Sequence, residues 1–152
     1  MKNKIVYVLN KIDFANRYIT LCNNFLDFNN GMNFTKHDVL DVIIDNNVDM
    51  KFISKEKLFI KDYFIKGFTA RLIIGYKNGF IDCMYWIFKN EVTILNESFR
   101  GVSLLQDTEF NDKVLFRFPI ATNIDDLQQI LKELLSLNND FISELNIEYL
   151  DE

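Results

Sequence analysis

Apolar residues near the start of the chain recur at alternating steps of three and four. This spacing places them on one face of an α-helix. The residues that form the stripe are Ile5, Val8, Ile12, Ala15, Ile19, Cys22 and Leu26. The pattern predicts one long helix over residues 3–28, and the "NNG" that ends at Gly31 is a C-terminal stop signal.

A second, shorter helix is predicted over residues 36–46. Thr35 is a favourable N-cap residue, and Asp38 places a carboxylate in the first turn, where the helix dipole favours negative charge. The apolar residues of this segment are Val39, Leu40, Ile43 and Ile44. They share one helical face, so we expect this helix to bury one side.

From Met50 to Leu95 the hydrophobic period changes to two, and aromatic and β-branched residues typical of strands are frequent. The strongest hairpin signal is "KNG" at 77–79, because Asn-Gly favours a two-residue turn. Such a turn pairs Lys77 with Phe80, so that paired residue numbers sum to 157. A slip by one residue would bring Asp82 into the core face, so burial favours the first register.

This register divides the hairpin into two faces. One face is apolar apart from tyrosine hydroxyls and consists of Ala70, Leu72, Ile74, Tyr76, Ile81, Cys83, Tyr85 and Ile87. Cys83 is then a core residue, while Trp86 lies on the opposite face across from Arg71, where the guanidinium can stack on the indole. The opposite face is also rich in apolar residues, so we expect further helices or an apolar partner surface to cover it.

The last part of the chain predicts fewer strands. Residues 91–95 are a further candidate strand, and residues 96–112 are interpreted as a loop with one helical turn. "KVLFRF" (113–118) predicts a strand ended by a proline. Capping residues at 122–126 open a helix, "NND" at 138–140 predicts a break or kink, and a short terminal helix follows.

These elements predict an α+β fold, with an antiparallel sheet of four to six strands and a long N-terminal helix and C-terminal helices packed on it. At 152 residues the chain is expected to form one domain, 1–152. It contains no run of 18 apolar residues, so no membrane association is predicted. Cys22 and Cys83 have no CxxC partners, and this usage predicts a reduced, cytoplasmic protein.

The net charge of −5 is unevenly distributed along the chain. Residues 1–46 are neutral, residues 47–100 carry a net charge of +3, and residues 101–152 carry −8. An acidic C-terminal third disfavours binding to nucleic acid and favours a basic protein partner.

No catalytic, nucleotide-binding or metal-binding motif is recognisable, and His37 is the single histidine. We therefore predict no catalytic residues, no metal and no cofactor, and a chain that is not an enzyme. The acidic side chains are the candidate partner-binding residues: Asp107, Glu109, Asp112, Asp125, Asp126, Asp140, Glu144 and Glu148. Three of them recur every four residues on one helical face, and the alternative interpretation is a solvated acidic surface.

Two segments resemble the small acidic immunity proteins encoded beside bacterial polymorphic or contact-dependent toxins. They are the aromatic hairpin "GYKNGFIDCMYWIF" and "VLFRFPIATNIDDLQQILKELL", a predicted strand that passes through proline into an acid-capped helix. The resemblance implies a compact α+β domain that blocks a toxin by binding it. It implies carboxylates that cover the basic active-site or substrate groove of a nuclease-type toxin.

The sequence is compatible with two other functions. The chain could be a small-molecule-binding domain or an unrecognised enzyme, with a pocket between the sheet and the first helix lined by Tyr76, Tyr85 or Trp86. It could also be a structural subunit whose second sheet face pairs with another copy. The sequence leaves the oligomeric state open.

Overall fold

The structure is a computed structural model that describes residues 2–150, and side chains from residue 3 to residue 148. The helices of the described chain are α1 (Lys2–Ile12), α2 (Phe14–Asn24), α3 (Lys36–Asp45), α4 (Phe99–Gln106), α5 (Phe110–Lys113) and α6 (Ile124–Leu150). The strands are β1 (Lys51–Ile53), β2 (Leu58–Ile65), β3 (Phe68–Gly75), β4 (Asp82–Lys89) and β5 (Val92–Ser98). The strands form one antiparallel sheet in the order β1-β2-β3-β4-β5, with helices packed on it. The predicted α+β class is confirmed.

The central hairpin forms as predicted. Asn78 and Gly79 have positive φ angles of 57° and 78°, and the backbone N–H of Phe80 donates to the carbonyl of Lys77 at 3.0 Å. Positive φ at both central positions is the turn that Asn-Gly favours, because it follows the twist of the strands. β3 and β4 pair from Thr69–Phe88 to Gly75–Asp82, which confirms the predicted register.

One face of this hairpin, which we call the inner face, is covered by helices. Its eight predicted core side chains are all buried, at 9% exposure or less. Helix α6 packs against β2, and α4 packs against β4. Tyr85 of the inner face stacks on Phe141 of α6 with ring centroids 4.6 Å apart, and it also contacts Phe99 of α4 at 4.8 Å.

The single N-terminal helix predicted over residues 3–28 is wrong, because the chain forms α1 and α2 with a break at Asp13. This residue adopts a left-handed conformation, with φ 56° and ψ 47°. The break lets Ile5 on α1 and Phe14 on α2 both reach the core, where each is at most 1% exposed. The side chain of Gln106 accepts a hydrogen bond from the Ala15 N–H at 2.9 Å, which satisfies a donor at the start of α2.

The predicted loop at 96–112 is also wrong, because it contains the end of β5 and helices α4 and α5. Ser98 caps α4 by accepting a hydrogen bond from the N–H of Gly101 at 3.2 Å. Glycine has a low helix propensity, and Gly101 weakens the helical signal of this short segment.

The predicted strand at 113–118 is wrong as well, since the chain from Val114 to Pro119 is irregular. Phe116 and Phe118 pack on other phenylalanines, while Leu115 before them is 73% exposed and Arg117 between them is exposed. Alternation of side chains is a property of any extended backbone, so the pattern occurs here without strand pairing.

The break predicted at 138–140 does not occur, because α6 is continuous over its 27 residues. Asn138 lies inside this helix at 2% exposure and makes two side-chain hydrogen bonds. It accepts from the hydroxyl of Tyr85 at 2.7 Å and donates to the hydroxyl of Tyr63 at 2.9 Å. In the sequence this asparagine suggests a helix break. In the structure its side chain joins the helix to the sheet.

The other side of the sheet carries no helix in the part of the chain that the structure describes. We call it the outer face: Leu58, Ile60, Asp62, Phe64, Thr69, Arg71, Ile73, Gly75, Asp82, Met84, Trp86, Phe88, Asn96 and Ser98. Each of these residues is half-buried or exposed. Helices were one of the two covers expected for this face, and α4 and α6 pack on the inner side of the sheet instead.

Candidate functional site

The outer face contains a fixed cluster of one arginine and two aromatic rings, which we call the Arg71 cluster (Asp62, Arg71, Trp86, Phe88). Strand pairing places Asp62, Arg71 and Trp86 side by side across β2, β3 and β4. The guanidinium of Arg71 donates to both carboxylate oxygens of Asp62, at 2.7 and 3.0 Å. Its central carbon lies 5.4 Å from the Trp86 ring and 5.6 Å from the Phe88 ring. The predicted stacking of Arg71 on Trp86 is confirmed.

Several contacts hold the Arg71 cluster in one arrangement. The indole N–H of Trp86 donates to Thr93 Oγ1 at 3.1 Å, and the Trp86 and Phe88 rings lie 4.8 Å apart. The hydrogen bond to Asp62 raises the pKa of Arg71 above its ordinary value. The result is a charged, half-exposed guanidinium against aromatic rings, and Trp and Arg are the residue types that dominate binding energy at protein interfaces.

A second aromatic group extends the outer face at its turn end, and we call it the phenylalanine ladder (Phe28, Phe80, Phe116, Phe118). Phe28 stacks on Phe116 and on Phe80, with centroids 4.8 and 5.2 Å apart. Phe80 in turn contacts Phe118 at 5.1 Å. Phe28 is 46% exposed, and the outer-face residue Phe64 is 80% exposed. Phe64 lies at the opposite end of the strands from the ladder, so the two are separate apolar groups. Exposed aromatic groups are typical of interaction surfaces.

Three of the predicted acidic residues form ion pairs within the chain. Asp107 pairs with Lys113 at 2.6 Å, Asp140 with Arg17 at 2.8 Å, and Glu144 with Lys11 at 2.9 Å. Asp140 and Glu144 lie one turn apart on α6, and their side chains face α2 and α1. The basic residues of those helices relieve the repulsion expected between like charges. The carboxylates of Asp140 and Glu144 help to attach α6 to the N-terminal helices.

The other predicted acidic residues lie far apart from one another in the structure. Asp126 accepts hydrogen bonds from the N–H and the hydroxyl of Thr122 at 3.0 and 2.8 Å, and Asp125 accepts from Gln129 at 2.9 Å. Asp126 and Glu148 are separated by about 33 Å along α6, at about 1.5 Å per residue. Glu109 is exposed just before α5, and Asp112 is exposed within it. The eight residues thus do not form one compact acidic patch.

The three aromatic residues of the predicted ligand pocket occupy different environments. Tyr85 is fully buried, its hydroxyl bonds to Asn138, and burial raises its pKa well above the ordinary value. Trp86 lies on the outer face. Tyr76 alone of the three lines an open cleft. A common pocket between the sheet and the helices is therefore not formed by these residues.

That cleft, which we call the turn-end cleft, lies between the β1–β2 loop and the β3–β4 turn and has a volume of about 720 Å³. Sequence reasoning found Tyr76 but missed the rest of its lining. The sequence feature that indicates the cleft is Gly75, because a glycine inside a strand often marks a place where a ligand or another backbone approaches closely.

The two cysteine thiols are not activated as nucleophiles. Cys22 and Cys83 are unpaired and buried, and burial raises the pKa of Cys22 to about 12. Burial also raises the pKa of Cys83 well above its ordinary value. A thiol with a raised pKa is a poor nucleophile at neutral pH. The described residues include no group of three potential metal ligands.

The chain matches no protein-family model, no curated protein and no solved structure. No helix among residues 2–150 has the length and apolar character needed to cross a membrane.

Proposed function

We propose that the chain is a non-catalytic binding protein that holds a protein partner on the outer face of its sheet. The observation that carries this proposal is the Arg71 cluster, a preformed Arg–Trp–Phe group on a sheet face that no described helix covers. Because Asp62 and Thr93 already fix Arg71 and Trp86, binding requires little further ordering of these side chains.

The size of the outer face suits a specific interface. Eight-residue strands are about 26 Å long, and four strands span about 15–20 Å across, which gives a projected area of about 400–500 Å². The phenylalanine ladder adds to this area. A standard interface buries about 800 Å² on each partner, so the outer face alone supplies about half of that area.

The specific form that we propose is an immunity protein that acts in the cytoplasm and neutralises a bacterial toxin. The resemblance of the hairpin and of the proline-linked helix to such proteins motivates this choice. The partner would be basic, and the net charge of −8 in residues 101–152 would attract it over long distances. In this proposal the outer face supplies most of the affinity, and the unpaired carboxylates at Glu109 and Asp112 supply steering.

Co-expression tests this proposal directly. The polypeptide encoded beside this chain is expressed in a bacterial host with wild-type protein, with Trp86→Ala, or with Tyr7→Ala as a control. Tyr7 is an exposed aromatic residue on α1, at 53% exposure, and it lies away from the outer face. We expect toxicity without the chain, protection by wild type and by Tyr7→Ala, and loss of protection with Trp86→Ala. A neighbour that is not toxic would contradict the immunity function, and full protection by Trp86→Ala would contradict the outer-face interface.

A further inference from the structure

We propose that the turn-end cleft binds a nucleotide, whose flat ring, sugar and phosphates match the groups that line it. Its volume of about 720 Å³ lies within the range of about 300–1,000 Å³ found for small-molecule sites. Arg71, Trp86 and Phe88 do not line the cleft, so the nucleotide would not contact the Arg71 cluster. The cleft shares Leu58, Gly75 and Asp82 with the outer face, and therefore lies at the turn end of the proposed protein interface.

Three lysines supply the positive charge that phosphates require. Lys55 and Lys57 come from the β1–β2 loop, and Lys77 comes from the β3–β4 turn. All three are exposed, and they belong to the one part of the chain with a net positive charge. Lysine binds phosphate as a flexible point charge, so lysines from two loops can converge on one phosphate group.

Aromatic rings line the same cleft. Phe34, Tyr76, Phe80 and Phe118 all contribute to its wall. Phe80 and Phe118 are already in contact, with centroids 5.1 Å apart, so this side of the cleft is ordered before a ligand enters. Aromatic side chains bind any nucleobase through its flat face, because stacking does not depend on the base's hydrogen-bonding pattern.

The remaining polar groups distinguish a nucleotide from a simple anion. Glu56 and Asp82 line the cleft together with the amides of Asn33 and Asn78. Two carboxylates would oppose an inorganic anion, but they accept hydrogen bonds from sugar hydroxyls and from amino groups on a base. Burial raises the pKa of Asp82, and the charge of Arg117 opposes this only in part. A ligand with both phosphates and hydroxyl donors satisfies the lysines and the carboxylates together.

The floor of the cleft is open because residue 75 is glycine. A Cβ atom built on Gly75 would lie 3.4 Å from Leu58 Cδ2 and 3.8 Å from the carbonyl oxygen of Asp82, which are ordinary contact distances. A side chain at this position is therefore compatible with the strand, and it would occupy space in the cleft. Gly75→Val should therefore reduce the volume of the cleft without changing its charge.

Calorimetric titration of the full chain with ADP, GDP, CDP and UDP tests the proposal. We expect saturable binding of at least one of the four. Lys55→Gln with Lys77→Gln should weaken it at least tenfold, and Gly75→Val should weaken it by a similar factor. Lys51→Gln with Lys89→Gln removes the same charge from exposed positions outside the cleft, and we expect a change of less than twofold. Thermal melting of each variant checks that it is folded.

Three results would overturn the proposal. One is the absence of saturable binding with all four nucleotides. Another is equal weakening by the two lysine pairs, which would indicate non-specific attraction. The third is pyrophosphate binding as tightly as the best nucleotide, since the rings would then contribute nothing. Trp86→Ala should leave nucleotide affinity unchanged, so failure of this proposal is distinguishable from failure of the proposed protein interface.

Discussion

The two faces of the β3–β4 hairpin are built from alternate residues of the same strands, yet they have opposite environments. On the inner face Leu72 is 1% exposed and Tyr85 is fully buried. On the outer face their neighbours Ile73 and Trp86 remain partly exposed. Both faces are rich in apolar residues, so composition does not distinguish them. The difference arises because the described helices all pack on one side.

This comparison indicates how the molecule divides its tasks. The inner face supplies stability, because α4 and α6 remove its side chains from water. The outer face contributes less to folding and retains apolar and cationic groups that a partner can cover. Variants on the two faces should therefore separate stability from binding.

The largest expected effect comes from matched truncations on adjacent residues of β3. Leu72→Ala should lower the free energy of unfolding by about 2–5 kcal/mol, because it removes a fully buried side chain and leaves a cavity. Ile73→Ala should cost less than about 1.5 kcal/mol, since Ile73 is only half-buried. Urea denaturation of both variants measures the two values. Equal costs would show that the outer face is covered in solution.

The next effect tests the hydrogen bonds that join the inner face to α6. Tyr85→Phe should destabilise the protein by about 1–3 kcal/mol, because Asn138 Oδ1 then lacks its donor in a site that is 2% exposed. Tyr63→Phe is the matched control and should cost less, since water can reach a half-buried position. Denaturation curves of both variants are compared. A double variant with Asn138→Leu should cost less than the sum of its parts, and strict additivity would contradict the coupling.

The sequence was sufficient to predict the parts of the fold that depend on local chemistry. The hairpin register follows from the turn at Asn78-Gly79 and from the need to bury one face, and both signals lie within the hairpin. The split of the N-terminal helix at Asp13 could not be predicted, because the apolar stripe continues across it. Long-range packing decides that break, as it decides that α6 continues through Asn138.

The candidate sites were harder to predict from the sequence for a similar reason. The acidic residues were visible, but their partners Lys11, Arg17 and Lys113 become neighbours only in the folded chain. The pairing of Arg71 with Trp86 was predictable because both lie in one hairpin. The turn-end cleft was not, since its lining comes from residues 33–34, 55–58, 75–82 and 118.

A smaller effect should appear in the pH dependence of stability at the edge of the outer face. Burial raises the pKa of Asp82 in the folded protein, so the folded state binds its proton more tightly than the unfolded state does. The free energy of unfolding should therefore decrease as pH rises from the ordinary aspartate pKa through the raised one. Asp82→Asn should be more stable than wild type at neutral pH, with a gap that narrows in acid. Chemical denaturation across this pH range measures the gap.

Arg117 provides the control for that experiment. Its charge lowers the pKa of Asp82 and so opposes the effect of burial. Arg117→Gln should widen the stability gap between the aspartate and asparagine forms at neutral pH. A gap that is independent of pH would show that Asp82 is well solvated in the folded protein and that water reaches this part of the cleft wall.

The smallest expected effect comes from an acidic residue of α6. This helix lies on the helical side of the sheet and not on the outer face. Asp140→Asn removes the ion pair with Arg17, in which the side chains are 47% and 30% exposed, so the loss of stability should be below about 1 kcal/mol. The loss should shrink further at high salt, because exposed charges are screened. If the outer face is the interface, Asp140→Asn should leave the association rate with the partner within twofold of wild type, as measured by stopped-flow fluorescence of Trp86. A markedly slower association with unchanged stability would place the partner on the helical side, because an internal ion pair affects folding and an interfacial charge affects encounter.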